Sequence, residues 1–118
     1  VKKRQEIGER YSSNLGGREI FGVPMIASDS KSVYAQYTIL SADRSKLQEI
    51  LKSKNIPSVP YYTVPLHLQP VFSSLGYSKC DFPVTENLAE QCLSLPMSPY
   101  LTEEDQGEVM ETLLEANI

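Results

Sequence analysis

The sequence lacks most of the residues and patterns from which catalytic and metal sites are built. It has one histidine, His67, and two cysteines, Cys80 and Cys92. No CxxC pair and no Cys/His cluster occurs, so the three or four ligands of a structural zinc are missing. A small secreted domain held by disulfides would use more cysteines, and these two are expected as reduced thiols. There is no GxSxG elbow, cysteine-protease signature, P-loop or GxGxxG cradle. No apolar run approaches the ~20 residues needed to cross a bilayer. The opening VKKRQEIGERY has no apolar h-region of a signal peptide. Basic residues are also short: eleven Lys and Arg oppose fifteen Asp and Glu, a net charge of -4. Nucleic acid calls for a basic face, so neither nucleic acid nor a membrane is an expected partner.

What is present is globular. Apolar residues make up 41% and charged residues 22%, which excludes a disordered acidic tail. The 118 residues suit a single domain, 1–118, that buries about 65% of the surface its unfolded chain exposes. The chain opens at Val1, inside a helical pattern, and is expected to be a fragment of a longer polypeptide. The acidic residues near the end, Glu103 to Glu115, read as a solvated helix face.

Ile7, Tyr11 and Leu15 share one stripe of a first helix, which Gly16-Gly17 ends. Met25-Ile26 predicts a short strand and Ser32–Leu40 a longer one, with Val33, Ala35, Tyr37 and Ile39 on one face. Asp43 is a candidate N-cap for a helix carrying Leu47, Ile50 and Leu51, closed by Asn55. Val59–Val64 reads as extended, with Pro60 confining it to an edge. Pro70 opens a short helix with Val71, Phe72 and Leu75 inward and Gly76 at its end. Asp81 caps a helix whose stripe is Val84, Leu88 and Cys92. After an extended Ser94-Leu95-Pro96, Thr102 opens a last helix with Val109, Met110, Leu113 and Leu114 apolar. This order predicts an α/β fold of the α+β kind: helices packed on a small, mostly antiparallel or mixed sheet.

The unusual segment is Tyr61-Tyr62-Thr63-Val64-Pro65-Leu66-His67-Leu68-Gln69-Pro70. Paired tyrosines in a rigid proline frame can stack on a base or hydrogen-bond a phosphate. They can equally alternate in a strand, one in the core and one at its rim.

The stretch IPSVPYYTVPLHLQPVFSSLGY resembles the C-terminal part of the DegT/DnrJ/EryC1/StrS aminotransferases, which carry a segment like HYPxPLHLQP. VKKRQEIGERY is similar to their KRxxIAxxY helix. SVYAQYTI and SKLQEILKSKNIP resemble their strand, helix and "GIP" return, and LSLPMSPYLTEEDQGEV their SLPMHPxLTEEE ending. These collinear matches cover nearly the whole chain. SVYAQYT with SLPM is especially like the branch acting on 3-oxo sugars of the UDP-N-acetylglucosaminuronate type.

The resemblance implies the small domain of a fold-type I enzyme dependent on pyridoxal 5'-phosphate. The Schiff-base lysine, the aspartate and most phosphate contacts belong to a large domain absent from these residues. The fragment alone is therefore expected to be inactive, and no catalytic residue is assigned within it. The whole enzyme would move an amino group, with glutamate as donor, onto a UDP- or dTDP-linked keto sugar. It would work as a cytoplasmic homodimer in making surface polysaccharide or a related glycoside. Tyr62 matches the family tyrosine and Tyr61 replaces its histidine, which removes a cation. Tyr61, Tyr62 and His67 are the candidate substrate-binding residues, and His67 and Gln69 can also match because they shape the turn. Thr63 and Ser98 depart from the family pattern. The alternative is a free-standing module that binds a nucleotide-sugar or a protein without catalysis. Loss of the large domain is also expected to expose apolar surface.

Overall fold

The computed structural model describes residues 1–116. Four helices flank a two-stranded antiparallel sheet. Helix α1 spans Lys2–Leu15, strand β1 Tyr37–Leu40 and helix α2 Arg44–Ser53. Two 3-10 turns follow, Leu66–Leu68 and Pro70–Leu75. Helix α3 is Pro83–Gln91, strand β2 Cys92–Leu95 and helix α4 Glu103–Glu115. The predicted architecture, helices packed on a small, mostly antiparallel or mixed sheet, is observed with the sheet antiparallel.

Tyr37 pairs with Leu95 and Leu40 with Cys92. The ladder gains one residue on each side. Gly22 bridges Leu40, and Val59 bridges Ser94. Successive strand residues face opposite ways, so Tyr37 and Ile39 enter the core while Thr38 and Leu40 face the other side.

Helix α1 buries its predicted stripe, Ile7, Tyr11 and Leu15. The Tyr11 hydroxyl donates to the Pro96 carbonyl at 2.8 Å, and its ring lies 4.8 Å from that of Tyr37. Burial, and then the neighbouring Tyr37, pushes the Tyr11 hydroxyl well above its ordinary pKa, so it stays a neutral donor. Gly17, at φ 74°, supplies the left-handed exit from the helix. Helix α4 packs on α1 and α2 through Val109 and Leu113. Thr102 caps it as predicted, its hydroxyl accepting from the Asp105 amide at 3.1 Å. The buried Gln106 locks α4 to α1. It donates to the Ile7 carbonyl at 2.8 Å and accepts from Arg10 at 2.8 Å.

Several expected elements are corrected. The strand predicted from Ser32 begins only at Tyr37. The preceding carbonyls bond to helix side chains instead of a ladder: Arg4 donates to Tyr34 and Ala35, and Gln5 to Ser32. Tyr34 takes a left-handed φ of 44°, which breaks the alternation and buries its ring in place of Val33. Met25-Ile26 forms no strand; Gly22 makes the contact with the sheet. Val59 alone pairs in the segment read as extended. Asp43 stands at the N-cap of α2 without a side-chain capping bond, and Asn55 ends that turn at φ 59°. The cap position of α3 is Phe82 rather than Asp81, whose carboxylate accepts from the Ser78 amide.

The largest corrections concern the apolar pattern of 71–88. Val71 and Leu75 are 74% and 63% exposed, and Val84 and Leu88 face outward too. Cys92 reaches the core as a strand residue, because α3 stops at Gln91. Their apolar spacing predicted burial, yet nothing among the described residues covers Val71, Leu75, Val84 and Leu88. Cys80 is exposed, and neither cysteine is in a disulfide.

The Tyr34 ring rests on Gly8, where an added Cβ would lie 2.6 Å from it. Gly8→Ala is expected to destabilise the fold by about 1–2 kcal/mol through overpacking. Helix propensity alone would give a gain of about 1 kcal/mol, so a stabilised variant in denaturant titration contradicts the contact. At high concentration the chain is expected to self-associate through its exposed apolar face, and Leu75→Asp to restore a monomer without lowering Tm. A monodisperse wild-type monomer in sedimentation would contradict this.

Candidate functional site

Tyr61 and Tyr62 leave the ladder just after Val59 and project from the surface, 41% and 70% exposed. Neither ring enters the core, so they do not alternate as a strand would. The peptide between them is cis. Their rings meet edge to face, 5.3 Å apart. Within the described residues, neither phenolic hydroxyl has a hydrogen-bond partner. Each tyrosine thus offers an apolar face and a free donor and acceptor.

Two grooves open beside them. The first, about 380 Å³, has Thr38 and Leu40 as its floor. Tyr62, Val64, Leu66 and Gln69 form one wall, and Thr85, Leu88 and Ala89 of α3 form the other. The second, about 310 Å³, runs between Gln36, Ser58 and Met97. Tyr61 lines both. The first groove is largely apolar, and the Thr38 hydroxyl on its floor is already bonded to Ser94 at 2.8 Å. No lysine, arginine or histidine lines either groove. They can stack on a flat ring and bond its edges, but they cannot neutralise a diphosphate.

His67 lies elsewhere. It borders a separate apolar cavity of about 400 Å³, behind Leu66 and Thr85, with Phe72, Tyr77 and Phe82. Its ring meets Phe82 edge to face at 4.8 Å, and its Nε2 lies 3.3 Å from Glu86 Oε2. Gln69 donates to the Val64 carbonyl at 3.3 Å, which braces the turn. Ser98 also shapes a turn: its hydroxyl accepts from the Tyr100 amide. The structure brings Tyr61 and Tyr62 together and sets His67 apart from them.

Glu86 is the residue that sequence reasoning missed. Its carboxylate accepts from the Cys80 amide at 2.9 Å, from the Phe82 amide at 3.2 Å and from His67. An acid in the first turn of a proline-led helix was the available signal. Donation from the Cys80 amide, with lesser help from Phe82 and His67, holds this carboxyl below its ordinary range against the opposing effect of burial.

A family model described as the DegT/DnrJ/EryC1/StrS aminotransferase family matches residues 1–114. Among relatives, the pleiotropic regulatory protein of Geobacillus stearothermophilus is 49% identical over 70% of this chain and 22% of its own length. The UDP-2-acetamido-2-deoxy-3-oxo-D-glucuronate aminotransferase of Pseudomonas aeruginosa is 38% identical over 86% of this chain and 27% of its own. Among solved structures, S. venezuelae DesV in complex with a ketimine intermediate superposes with a TM-score of 0.93. It is 29% identical and covers 97% of this chain and 31% of its own. The chain therefore spans between 22% and 31% of these proteins' lengths.

A carboxyl held low in the folded state stabilises the protein above the ordinary carboxylate range, and that contribution is lost as pH falls through its folded pKa. Wild type and Glu86→Gln are expected to differ in Tm above the ordinary carboxylate range and to converge as pH falls below it. A gap that is constant over that range contradicts the assignment.

Proposed function

Because this chain belongs to the DegT/DnrJ/EryC1/StrS aminotransferase family, we propose that it is the C-terminal part of a sugar aminotransferase dependent on pyridoxal 5'-phosphate. Tyr61 and Tyr62 are its contribution to the nucleotide-sugar site. The whole enzyme transfers an amino group from glutamate to a UDP- or dTDP-linked keto sugar, as a cytoplasmic homodimer supplying polysaccharide or glycoside synthesis. Among the described residues, no helix is long and apolar enough to cross a membrane. The observation that carries the site is the exposed tyrosine pair with free hydroxyls, standing between two grooves.

The residues present do not make a pyridoxal-phosphate site. That cofactor needs a lysine inside a shielded pocket, and all seven lysines here are solvent-exposed. None lines a groove beside the tyrosines. The cofactor supplies the carbanion chemistry where it is bound, in the part of the enzyme beyond this chain. What these residues supply is binding. The Tyr62 face covers an apolar or π surface of the substrate, and the hydroxyls bond its polar edge. Cations for the diphosphate come from outside the grooves.

The same reasoning disfavours a free-standing binding module. Without a cation, the two grooves hold a nucleotide-sugar only weakly. The exposed 71–88 face is likewise covered by the remainder of the enzyme.

In the longer polypeptide, which is expected to show a Schiff-base absorbance band, Tyr62→Ala should raise KM for the nucleotide-sugar about tenfold, the size of one lost stacking contact. Tyr62→Phe should keep the stacking share of that effect. An unchanged KM in Tyr62→Ala overturns the site, and a longer polypeptide that never binds the cofactor overturns the enzyme.

A further inference from the structure

The groove beside Tyr62 has two walls from distant parts of the chain. One is the Val64–Gln69 segment and the other is α3. The first wall has little of its own to hold it. Its 3-10 turn buries no residue, and it is closed by two backbone bonds, Leu68 to Pro65 and Gln69 to Leu66, and by the Gln69 side chain on the Val64 carbonyl. The two walls are joined behind the groove. His67 follows Leu66 of one wall, Glu86 follows Thr85 of the other, and their side chains meet at 3.3 Å. The junction is sheltered, with the two side chains 7% and 14% exposed.

We infer that His67 and Glu86 form a clasp that sets the width of the Tyr62 groove, and that they are positioning residues for the nucleotide-sugar without touching it. This deepens the proposed function and rests on it.

The chemistry of the contact is defined. An ionised carboxylate only accepts, so the His67 Nε2–H donates. Glu86 is itself also held by the Cys80 and Phe82 amides. The Phe82 ring then meets the imidazole edge to face, so His67 is fixed by a bond and by a ring. Neither residue lines the groove. The clasp acts through Leu66 and Thr85, which border both the groove and the apolar cavity behind it. Loosening it lets the Val64–Gln69 wall drift from α3 and widens the space that Tyr62 closes. Such a change weakens ground-state and transition-state binding alike, so it raises KM and spares kcat.

The donor matters more than the imidazole, and this separates a clasp from mere packing. In the longer enzyme, with the UDP- or dTDP-linked keto sugar it turns over, His67→Phe keeps the ring contact with Phe82 and deletes the donor. It should raise KM about tenfold with kcat within about twofold. His67→Gln retains an N–H donor and should bring KM back to within about twofold of wild type. Glu86→Met, which deletes the acceptor, combined with His67→Phe should give less than the sum of the two single effects on log KM, because both break one contact. An unchanged KM in His67→Phe, whatever its Tm, overturns the clasp. So does His67→Gln as impaired as His67→Phe, or a double variant whose effects simply add. A wild type that turns over no nucleotide-sugar overturns the proposed function, and the clasp with it. A working wild type with indifferent variants overturns the clasp alone.

Discussion

The antiparallel pairing of Tyr37–Leu40 with Cys92–Leu95 is the constraint on which the rest of the molecule depends. It joins segments more than fifty residues apart, and each strand has only four residues. So short a ladder is marginal in water without a covering layer. Helix α1 supplies that layer on one side, its Tyr11 ring against Tyr37 and its hydroxyl on the carbonyl of Pro96, just beyond β2. On the other side, Thr38 and Leu40 become the floor of the groove. The two-residue period of one strand thus builds the core with alternate residues and the candidate site with the others. The Val59 bridge to Ser94 then fixes where the chain leaves the sheet, and so where Tyr61 and Tyr62 stand.

The elements legible in the sequence are those whose partners lie nearby or whose pattern is strong. The stripe of Ile7, Tyr11 and Leu15, the Leu47 and Leu51 pair, the Thr102 cap and the left-handed Gly76 all follow from local rules. The failures share one cause. Propensity gave residues 32–36 to a strand, but Arg4 and Gln5, about thirty residues away, claim their carbonyls. Apolar spacing marked Val71, Leu75, Val84 and Leu88 for burial, yet spacing does not say against what. The tyrosine pair stood out at once by composition. Its separation from His67 did not, because that depends on a carboxylate nineteen residues further on.

The candidate site is uncharged. It offers rings, hydroxyls and apolar walls, and no cation. Tyr61 stands where the resembling family has histidine, so the sequence departure and the uncharged grooves agree. On the proposed function, such a surface selects by shape and by the polar edge of what it holds, and the charge of a diphosphate falls to residues outside these grooves. The exposed 71–88 face has the same character: apolar and uncovered among the described residues. Both features make sense if the chain works against the larger remainder that its relatives possess.

On the proposed function, the tyrosine pair and its grooves receive a nucleotide-sugar. A crystal structure of the longer enzyme with its UDP- or dTDP-linked substrate tests it most directly. The substrate should lie in van der Waals contact with the Tyr62 ring and be hydrogen-bonded to a tyrosine hydroxyl. A substrate bound away from both grooves, with Tyr61 and Tyr62 in solvent, would contradict it.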